Sequence, residues 1–390
     1  MKLMVSGFSI LTILSSMATS MRKVARRRAC SYHTNKPRFR QGPRRKEFRF
    51  PLLRLIVLWP VFLISCRLAT SLLPPSPPPT LTVPVTARLL PTTTASSFPT
   101  PAATVTATAT ATATPRSPLP DLAHILVVVL ENREFGSVIG RSEWSAVNRW
   151  AQEYALLTQY YAITHPSLPN YIAMMGGDTF GIHTNCRDCF INAPSLPDQL
   201  ETAGYRWKGY FEDMPRPCYL GDTATYVQKH NPFLYFDPIR TVNTRCAAHV
   251  VPLTQLETDL ATEALPDFAF IIPNQCHNGH DCSSAIADAW LETWVNRLLN
   301  YLEAHAAQEP YLLIITWEEG QGNHSCCGLP PEAGGRVPLL LISPLVRKGF
   351  QDDTPYTHYS LLKTIELAWN LPYLGHAADE GTAPILAVWK

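Results

Sequence analysis

Nucleophilic, acidic and imidazole side chains recur in this 390-residue sequence, mostly just after runs of apolar residues. Ser167 is the first candidate, because it lies in THPSLPNYIA two residues before Pro169, where a helical pattern begins. Its hydroxyl could simply cap that helix. It could also be a nucleophile that a base or a bound metal activates. The free N–H groups at a helix start would favour an anion such as phosphate beside it.

Carboxylates that follow two of the apolar runs suggest a metal site. Glu131 comes directly after the first run, and Glu318-Glu319 comes after a later one. Hard oxygen ligands suit Mg²⁺, Ca²⁺ or Mn²⁺ and also serve Zn²⁺. The sequence therefore predicts a divalent metal ion, of open identity, bound by these three glutamates.

The apolar runs that must position these residues are typical of strands buried on both faces of a parallel sheet. There are four of them, His124–Leu130, Phe268–Ile272, Tyr311–Trp317 and Val337–Ser343. Helical patterns alternate with them, over Glu143–Tyr154, Leu196–Ala203, Leu253–Leu265, Ser284–Ala307 and Tyr359–Trp369. This alternation predicts an α/β fold with a mostly parallel central sheet flanked by helices. The chemistry of such folds lies beyond the carboxyl ends of the strands.

The distribution of charge divides the chain. Residues 1–120 contain 17 Lys and Arg and one acid, whereas 121–390 contain 16 basic and 30 acidic residues. The acidic balance of the second part argues against nucleic acid as a partner. We therefore expect a catalytic domain over 121–390. Residues 67–120 are rich in Pro, Thr and Ala and predict a disordered tether.

Residues 1–66 have the features of an export signal. A basic region precedes the apolar run Leu55–Ile64, which is too short to span a bilayer comfortably. The run ends in Leu63-Ile64-Ser65-Cys66, which resembles a bacterial lipobox. We expect an extracytoplasmic protein held at the membrane by a lipid on Cys66, with plain secretion or a retained signal anchor as alternatives.

Eight of the ten cysteines lie in the predicted domain. An even number downstream of an export signal favours structural disulfides. Cys186-x-x-Cys189 could instead be half of a zinc site or a redox pair. Cys276 and Cys282 flank a loop that contains His280, and we expect them to staple that loop.

Six motifs occur in a fixed order along 121–390. They are ENREFGSVIG, THPSLPNYIAMMGGDTFGI, PNQCHNGHDC, ITWEEGQG, GGRVPLLLISP and THYSLLKTIELAWNLPYLG. Together they resemble the bacterial phosphoesterase family that joins acid phosphatases and phospholipases C, within the alkaline-phosphatase-like superfamily. The resemblance implies an alkaline-phosphatase-like fold. It also implies metal-dependent phosphoryl transfer through a phosphoserine, here on Ser167.

The same resemblance implies roles for further residues. Asn132 and Ser167 join Glu131, Glu318 and Glu319 as metal ligands, although the family's acidic pair usually contains an aspartate. The implied catalytic residues are Ser167, His280 and His358. The implied phosphate-binding residues are Asn132, Asn170, Asn274 and Asp281. The two histidines could bind phosphate, protonate the leaving group or hold a second metal. His277 and His324 are further candidates, whereas His165 is expected to be a turn residue and His183 to be structural.

Phosphomonoester hydrolysis of the acid-phosphatase type is the favoured function, on a small phosphate ester or a phospholipid head group. A phosphodiesterase or phospholipase C is the first alternative, because pocket shape decides the class of ester. A surface-displayed binding protein without activity is the second. Retention of the serine, the paired carboxylates and the histidines argues against this last possibility. The absence of a G-x-S-x-G elbow disfavours a serine esterase.

Overall fold

The computed structural model describes residues 117–390. Nine strands form one sheet at its centre. They are β1 (His124–Leu130), β2 (Ala155–Tyr161), β3 (Trp207–Phe211), β4 (Val250–Pro252), β5 (Phe268–Ile272), β6 (Tyr311–Trp317), β7 (Arg336–Ile342), β8 (Gln351–Asp352) and β9 (Tyr356–Thr357). The predicted signal peptide and all of the predicted tether before residue 117 lie outside the described residues.

The sheet is mixed but mostly parallel. Its order is β4-β3-β5-β1-β6-β7-β2-β8, and β9 pairs with β2. β1 runs parallel to both β5 and β6, and β3 runs parallel to β5 and β4. β7 is antiparallel to both of its neighbours, so β2 runs in the same direction as β1. The predicted α/β architecture with a mostly parallel sheet is confirmed.

Helices flank the sheet, as the alternating pattern predicts. They are α1 (Phe135–Val138), α2 (Ser145–Glu153), α3 (Ser167–Gly176), α4 (Leu196–Thr202), α5 (Asp237–Arg240), α6 (Asn243–His249), α7 (Thr254–Ala261), α8 (Ser284–His305) and α9 (His358–Ala368). Short 3₁₀ turns lie at Ser142–Trp144, Gln228–His230, Pro232–Leu234 and Gly375–Ala378. Within residues 117–390, no helix combines the length and apolar character that crossing a membrane requires.

The core is densest at the middle of the sheet, where every residue of β1, β5 and β6 is buried. One buried acid ties the outer helices together there. Asp288 of α8 accepts hydrogen bonds from the backbone N–H groups of Ala146 and Val147 at 3.0 and 3.1 Å. These N–H groups have no partner within α2, because they belong to its first turn. The carboxylate therefore both caps α2 and docks it on α8.

Four disulfides link the eight cysteines of this part of the chain. The pairs are Cys186–Cys189, Cys218–Cys246, Cys276–Cys282 and Cys326–Cys327. The prediction of structural disulfides is confirmed, and so is the staple across the His280 loop. Cys186 and Cys189 pair with each other, so neither is a zinc ligand in this structure.

Gly177 offers a test of the packing behind α3. It ends the helix with φ of +72°, and a Cβ added there would collide with the carbonyl oxygen of Leu374. Gly140 has a similar φ of +81° but open space around it. We expect Gly140→Ala to lower the free energy of unfolding by about 1 kcal/mol, the cost of a left-handed alanine. Gly177→Ala should lower it by at least about 2 kcal/mol, because the collision adds to that cost. Equal losses in urea unfolding would contradict this packing.

Candidate active site

Parallel strand pairing brings the candidate side chains to one edge of the sheet. Leu130 at the end of β1 pairs with Trp317 at the end of β6. Glu131 and Glu318 therefore leave neighbouring strands side by side. The N–H of Glu318 donates to the carbonyl oxygen of Leu130 at 3.0 Å, which extends this pairing by one residue. β2 points to the same edge, and the chain that follows it carries Ser167 there.

Ser167 is the first residue of α3, and only 1% of its surface is exposed. Its Oγ donates to Glu319 Oε1 at 3.2 Å and lies 3.4 Å from Glu131 Oε2. The ammonium group of Lys229 donates to the same Oγ at 3.4 Å. The hydroxyl thus meets two carboxylates and one cation. This arrangement differs from a helix cap, in which the hydroxyl would accept a backbone N–H.

The segment around the serine is fixed by two asparagines. Asn185 Oδ1 accepts the N–H of Leu168 in the first turn of α3 at 3.0 Å. Asn170 is buried, and its Oδ1 accepts the N–H groups of Ile163 and Thr164 at 2.9 and 3.1 Å. Its Nδ2 donates to the carbonyl oxygen of Thr164 at 2.7 Å. Both ends of the Asn170 amide therefore hold the backbone of this segment.

Three carboxylates share this buried space. Glu131 and Glu318 are fully buried, and Glu319 is nearly so. Burial works to raise the pKa of Glu131, but contact with His230 and a hydrogen bond with Glu318 hold it below its ordinary value. Burial in turn lowers the pKa of His230. Burial and the charges of Glu131 and Glu319 raise the pKa of Glu318 well above its ordinary value. The pKa values of the two neighbouring carboxyl groups therefore move in opposite directions, so the pair favours a single negative charge when no cation is present.

Glu131 has two partners that the sequence analysis misses. The hydroxyl of Tyr171 donates to Glu131 Oε1 at 2.7 Å, and His230 Nε2 lies 2.8 Å from the same oxygen. Tyr171 follows Ser167 by four residues in α3, so helical spacing could have found it. His230 and Lys229 come from a 3₁₀ turn that follows no predicted strand. No local signal connects that turn to the site.

His358 lies in the site but faces the protein interior. It is fully buried at the start of α9, and its Nδ1 lies 2.8 Å from the hydroxyl of Tyr160. Its Nε2 lies 2.7 Å from the carbonyl oxygen of Glu318. Burial lowers the pKa of His358 to about 4, although the bond to Glu318 offsets part of this effect. Both ring nitrogens are engaged with protein atoms.

The loop after β5 forms an outer rim of the site. The N–H of Glu131 donates to the carbonyl oxygen of Asn278 at 3.0 Å, which attaches this loop to β1. His280 and Asp281 are exposed on it, and their side chains are 2.6 Å apart. Asn274 donates to Asp213 Oδ2 at 2.8 Å and accepts backbone N–H groups of its own loop. The structure therefore places His280 and Asp281 at the rim, and it places Asn274 as an organiser of the turn.

His165 is closer to the chemistry than a turn residue would be. Its Nδ1 contacts Glu319 Oε2, and its Nε2 lies 3.2 Å from the carbonyl oxygen of Gly322. The hydrogen bond with Glu319 is the main reason that the pKa of His165 is raised. Glu319 therefore connects His165 to Ser167 and holds both side chains.

The other two candidate histidines bond to acids outside this cluster. His277 lies 2.9 Å from Glu212 Oε2, and His324 lies 3.0 Å from Glu134 Oε1. Glu134 also accepts the backbone N–H groups of Gly322 and Arg336, both at 3.1 Å. It thereby fastens the long loop between β6 and β7 to the end of β1. Glu134 is not among the residues predicted from the sequence to belong to the site.

The five predicted metal ligands lie together. Asn132 donates from its backbone to Glu318 Oε2 and from its side chain to Glu131 Oε2, both at 3.2 Å. Among residues 117–390, no three His, Cys, Asp or Glu side chains are arranged as a ready metal-binding group. The donor chemistry nevertheless suits a hard cation, because the buried Glu318 Oε1 has no hydrogen-bond partner. A divalent ion there would offset the repulsion from Glu131 and Glu319 that contributes to the raised pKa of Glu318.

Comparison with known sequences points to one enzyme class. The profile of the phosphoesterase family matches residues 141–372. The chain is 32% identical to a phosphatidylinositol-3-phosphatase of Mycobacterium tuberculosis, over 70% of this chain and 85% of that protein. It is 35% identical to an acid phosphatase of Aspergillus fumigatus, over 58% of this chain and 51% of that protein. A phosphate-repressible acid phosphatase of Penicillium chrysogenum is 34% identical over 59% of this chain and 55% of that protein. The chain thus spans about half the length of these two fungal relatives.

Solved structures overlap with the fold only loosely. A protein of the alkaline phosphatase superfamily from Vibrio parahaemolyticus aligns over 68% of this chain and 72% of its own, with a TM-score of 0.46 and 12% identity. A similarity at this level carries no weight for the chemistry of the site.

The burial of His358 predicts a pH dependence of stability. An unfolded chain protonates this ring near pH 6.5, whereas the folded protein does so only near pH 4. The contribution of His358 is therefore full above pH 6.5 and is lost as the pH falls toward 4, by up to about 3 kcal/mol. We expect His358→Gln to unfold with a flatter pH dependence over this range. If the free energy of unfolding of the variant and of the wild type depended on pH in the same way, the ring would not be neutral and buried. His305→Gln is the control.

Proposed function

The chain belongs to the phosphoesterase family and is a hydrolase of phosphoric esters, and on that premise we propose that it is a metal-dependent phosphomonoesterase of the acid-phosphatase type. Ser167 is the proposed nucleophile and forms a phosphoserine intermediate. The observation that carries this proposal is the environment of the Ser167 hydroxyl. It stands at the start of α3 between two carboxylates and an ammonium group, and it caps nothing.

The cofactor of this proposal is one divalent cation. It would be held by Glu131, Asn132, Ser167, Glu318 and Glu319, and it would lower the pKa of the serine hydroxyl and screen the charge of the phosphate. The unpaired Oε1 of Glu318 and the raised pKa of its carboxyl group support this assignment. The chain itself supplies the remaining functions.

Ser167 attacks phosphorus in line with the departing alcohol. Its Oγ–H points at Glu319, which accepts the proton as the new P–O bond forms. The ester P–O bond breaks, and the phosphoryl group is left on the serine. The positive end of α3, the ammonium group of Lys229 and the amide of Asn132 bind the non-bridging oxygens. Water then cleaves the phosphoserine and releases inorganic phosphate.

The two predicted catalytic histidines receive different roles in this proposal. His280 is exposed at the rim and oriented by Asp281, so it can give a proton to the leaving alcohol. His358 acts as a positioning residue, because its ring holds the backbone of Glu318 from within the protein. This division follows from access to solvent, which His280 has and His358 lacks.

Phosphodiester hydrolysis of the phospholipase C type is the second candidate. The name of the mycobacterial relative favours a lipid head group as a substrate, although the bond cleaved by a 3-phosphatase is a monoester.

We further propose an extracytoplasmic location, which the four disulfides support. Attachment to the membrane through a lipid on Cys66 remains part of this proposal.

Replacement of the nucleophile is the first test. We expect Ser167→Ala to lower kcat on p-nitrophenyl phosphate by at least roughly 10³-fold, because no other hydroxyl stands at this position. A chelator should abolish wild-type turnover, and an added divalent ion should restore it. Turnover of bis-p-nitrophenyl phosphate should be much slower. Ser142→Ala, on an exposed turn, is the matched control. Full activity of Ser167→Ala would return Ser167 to a structural role.

Two substitutions of Lys229 test whether its positive charge contributes to phosphate binding. We expect Lys229→Met to weaken competitive inhibition by inorganic phosphate about tenfold, because the ammonium group no longer faces the phosphoryl oxygens. Lys229→Arg keeps the positive charge and should recover most of the affinity. The readout is the inhibition constant of phosphate. Unchanged inhibition in Lys229→Met would place Lys229 outside the phosphate site.

A further inference from the structure

A cavity of about 710 Å³ lies next to α3, and neither Ser167 nor the three buried carboxylates line it. Thr164, three residues before Ser167, forms part of its wall. Thr357 forms another part and directly precedes His358, whose ring bonds to Glu318. The cavity therefore borders the segments that hold the nucleophile and one acid. Its volume is in the range that accommodates a small organic ligand.

One side of this cavity is apolar. Ile163 and Tyr359 pack with Ala173 of α3 and with Leu329, in a small cluster that is separate from the main core. The ring of Tyr359 also packs against His376, with ring centroids 4.9 Å apart. Three of these residues, Ile163, Leu329 and Tyr359, line the cavity directly. An aromatic or aliphatic group would be sheltered from water against them.

Another part of the cavity wall is negatively charged. Asp178, Glu332 and Asp379 line it, and neither lysine nor arginine does. Burial and the charges of Asp178 and Asp379 raise the pKa of the Tyr359 hydroxyl, so both acids act on the cavity wall. Two histidines, His183 and His376, also line the cavity. His376 lies 2.7 Å from Asp379, and the ammonium group of Lys363 donates to the carbonyl oxygen of Asp379 at 3.2 Å. A phosphate group would be repelled here, whereas Lys229 and the start of α3 provide positive charge beside Ser167.

The wall of this cavity is held in place by the fold. The N–H of His376 donates to the carbonyl oxygen of Gly177 at 2.7 Å, which fixes the turn at Gly375–Ala378 against the end of α3. The loop that carries Leu329 contains the Cys326–Cys327 disulfide and begins at the clamp made by Glu134. The cavity is thus bounded by elements that are anchored at both ends.

We propose that this cavity is the subsite for the alcohol part of the phosphate ester, and that it selects alcohols with an apolar body and an amine. An alcohol that carries a second anionic group is disfavoured there. This inference rests on the proposed function, because it assumes that Ser167 receives the phosphoryl group. It adds the class of substrate, which neither the serine nor the carboxylates define.

Three phenols with a cationic, a neutral or an anionic substituent on the same ring carbon test binding to the cavity directly. They are 4-(aminomethyl)phenol, 4-(hydroxymethyl)phenol and 4-hydroxyphenylacetic acid, which are cationic, neutral and anionic at pH 7. We expect the full chain, with its disulfides intact, to bind the amine about fivefold more tightly than the neutral phenol, the effect of one partly exposed ion pair. The acid should bind more weakly than either. Equal affinities measured by calorimetry would overturn the proposal.

Variants of the wall show whether this binding occurs in the cavity. Asp379→Asn should reduce the preference for the amine, whereas Glu143→Gln, an exposed acid elsewhere, should not. Because Asp379→Asn also loses its partner His376, Leu329→Lys provides a second test. A cation on the apolar wall should reverse the order, so that the acid binds more tightly than the amine. A preference for the amine that survives both variants would place binding elsewhere.

The phosphate esters of the same phenols separate this inference from the proposed function. Their methylene groups insulate the leaving oxygen from the substituent, so differences should appear in KM and not in kcat. Hydrolysis of all three esters with one KM would retain the phosphatase and reject the subsite. Selective binding of the amine without hydrolysis of any ester would reject the proposed function and retain a cationic ligand site. An amine that binds but does not compete with phenyl phosphate would reject the link between the cavity and Ser167.

Discussion

The burial of three carboxylates at one point is the constraint on which this structure depends. Glu131, Glu318 and Glu319 have almost no contact with water, and their mutual repulsion must be compensated within the protein. His230 and Tyr171 compensate Glu131, and a proton or a cation must compensate Glu318. Burial of such a cluster destabilises the folded state and brings no gain in packing. Its persistence is understandable if the carboxylates bind a metal ion beside the serine.

Parallel strands make this cluster possible. Because β1 and β6 are in register up to their last residues, their first loop residues are neighbours without any further adjustment. The loops beyond those strands are then tied back by polar contacts. Glu134 holds the loop after β6, Asn170 holds the segment before α3, and a disulfide closes the loop after β5. The site is therefore built on rigid strand ends, and its loops have few free conformations.

The surroundings of α3 are positive at the start of the helix and negative at the neighbouring cavity. On the side of Ser167, the start of the helix and Lys229 provide positive potential for a phosphoryl group. Along the helix, the cavity that Asp178 and Asp379 line is negative. A phosphate ester has two ends of different polarity, and this arrangement gives each end a different environment. The positive start of α3 and the acids around the cavity would orient the ester before any bond is formed.

The sequence by itself determined the central strands, the alternating helices and the candidates at the strand ends. A strand buried on both faces leaves an unbroken apolar run in the sequence, as in β1 and β6. Polar residues that directly follow such a run can therefore be identified as candidate site residues. The direction of β7 was decided only by the tertiary structure, because a doubly buried strand has the same composition in either direction. Five of the nine strands are not predicted. Polar residues or a glycine interrupt the apolar pattern of β2 and β3, and β4, β8 and β9 have only two or three residues, too few to show a period. Lys229 and His230 reach Ser167 and Glu131 from far along the chain. The inward orientation of the His358 ring was likewise decided only by the tertiary structure, because packing determines which neighbours a side chain contacts.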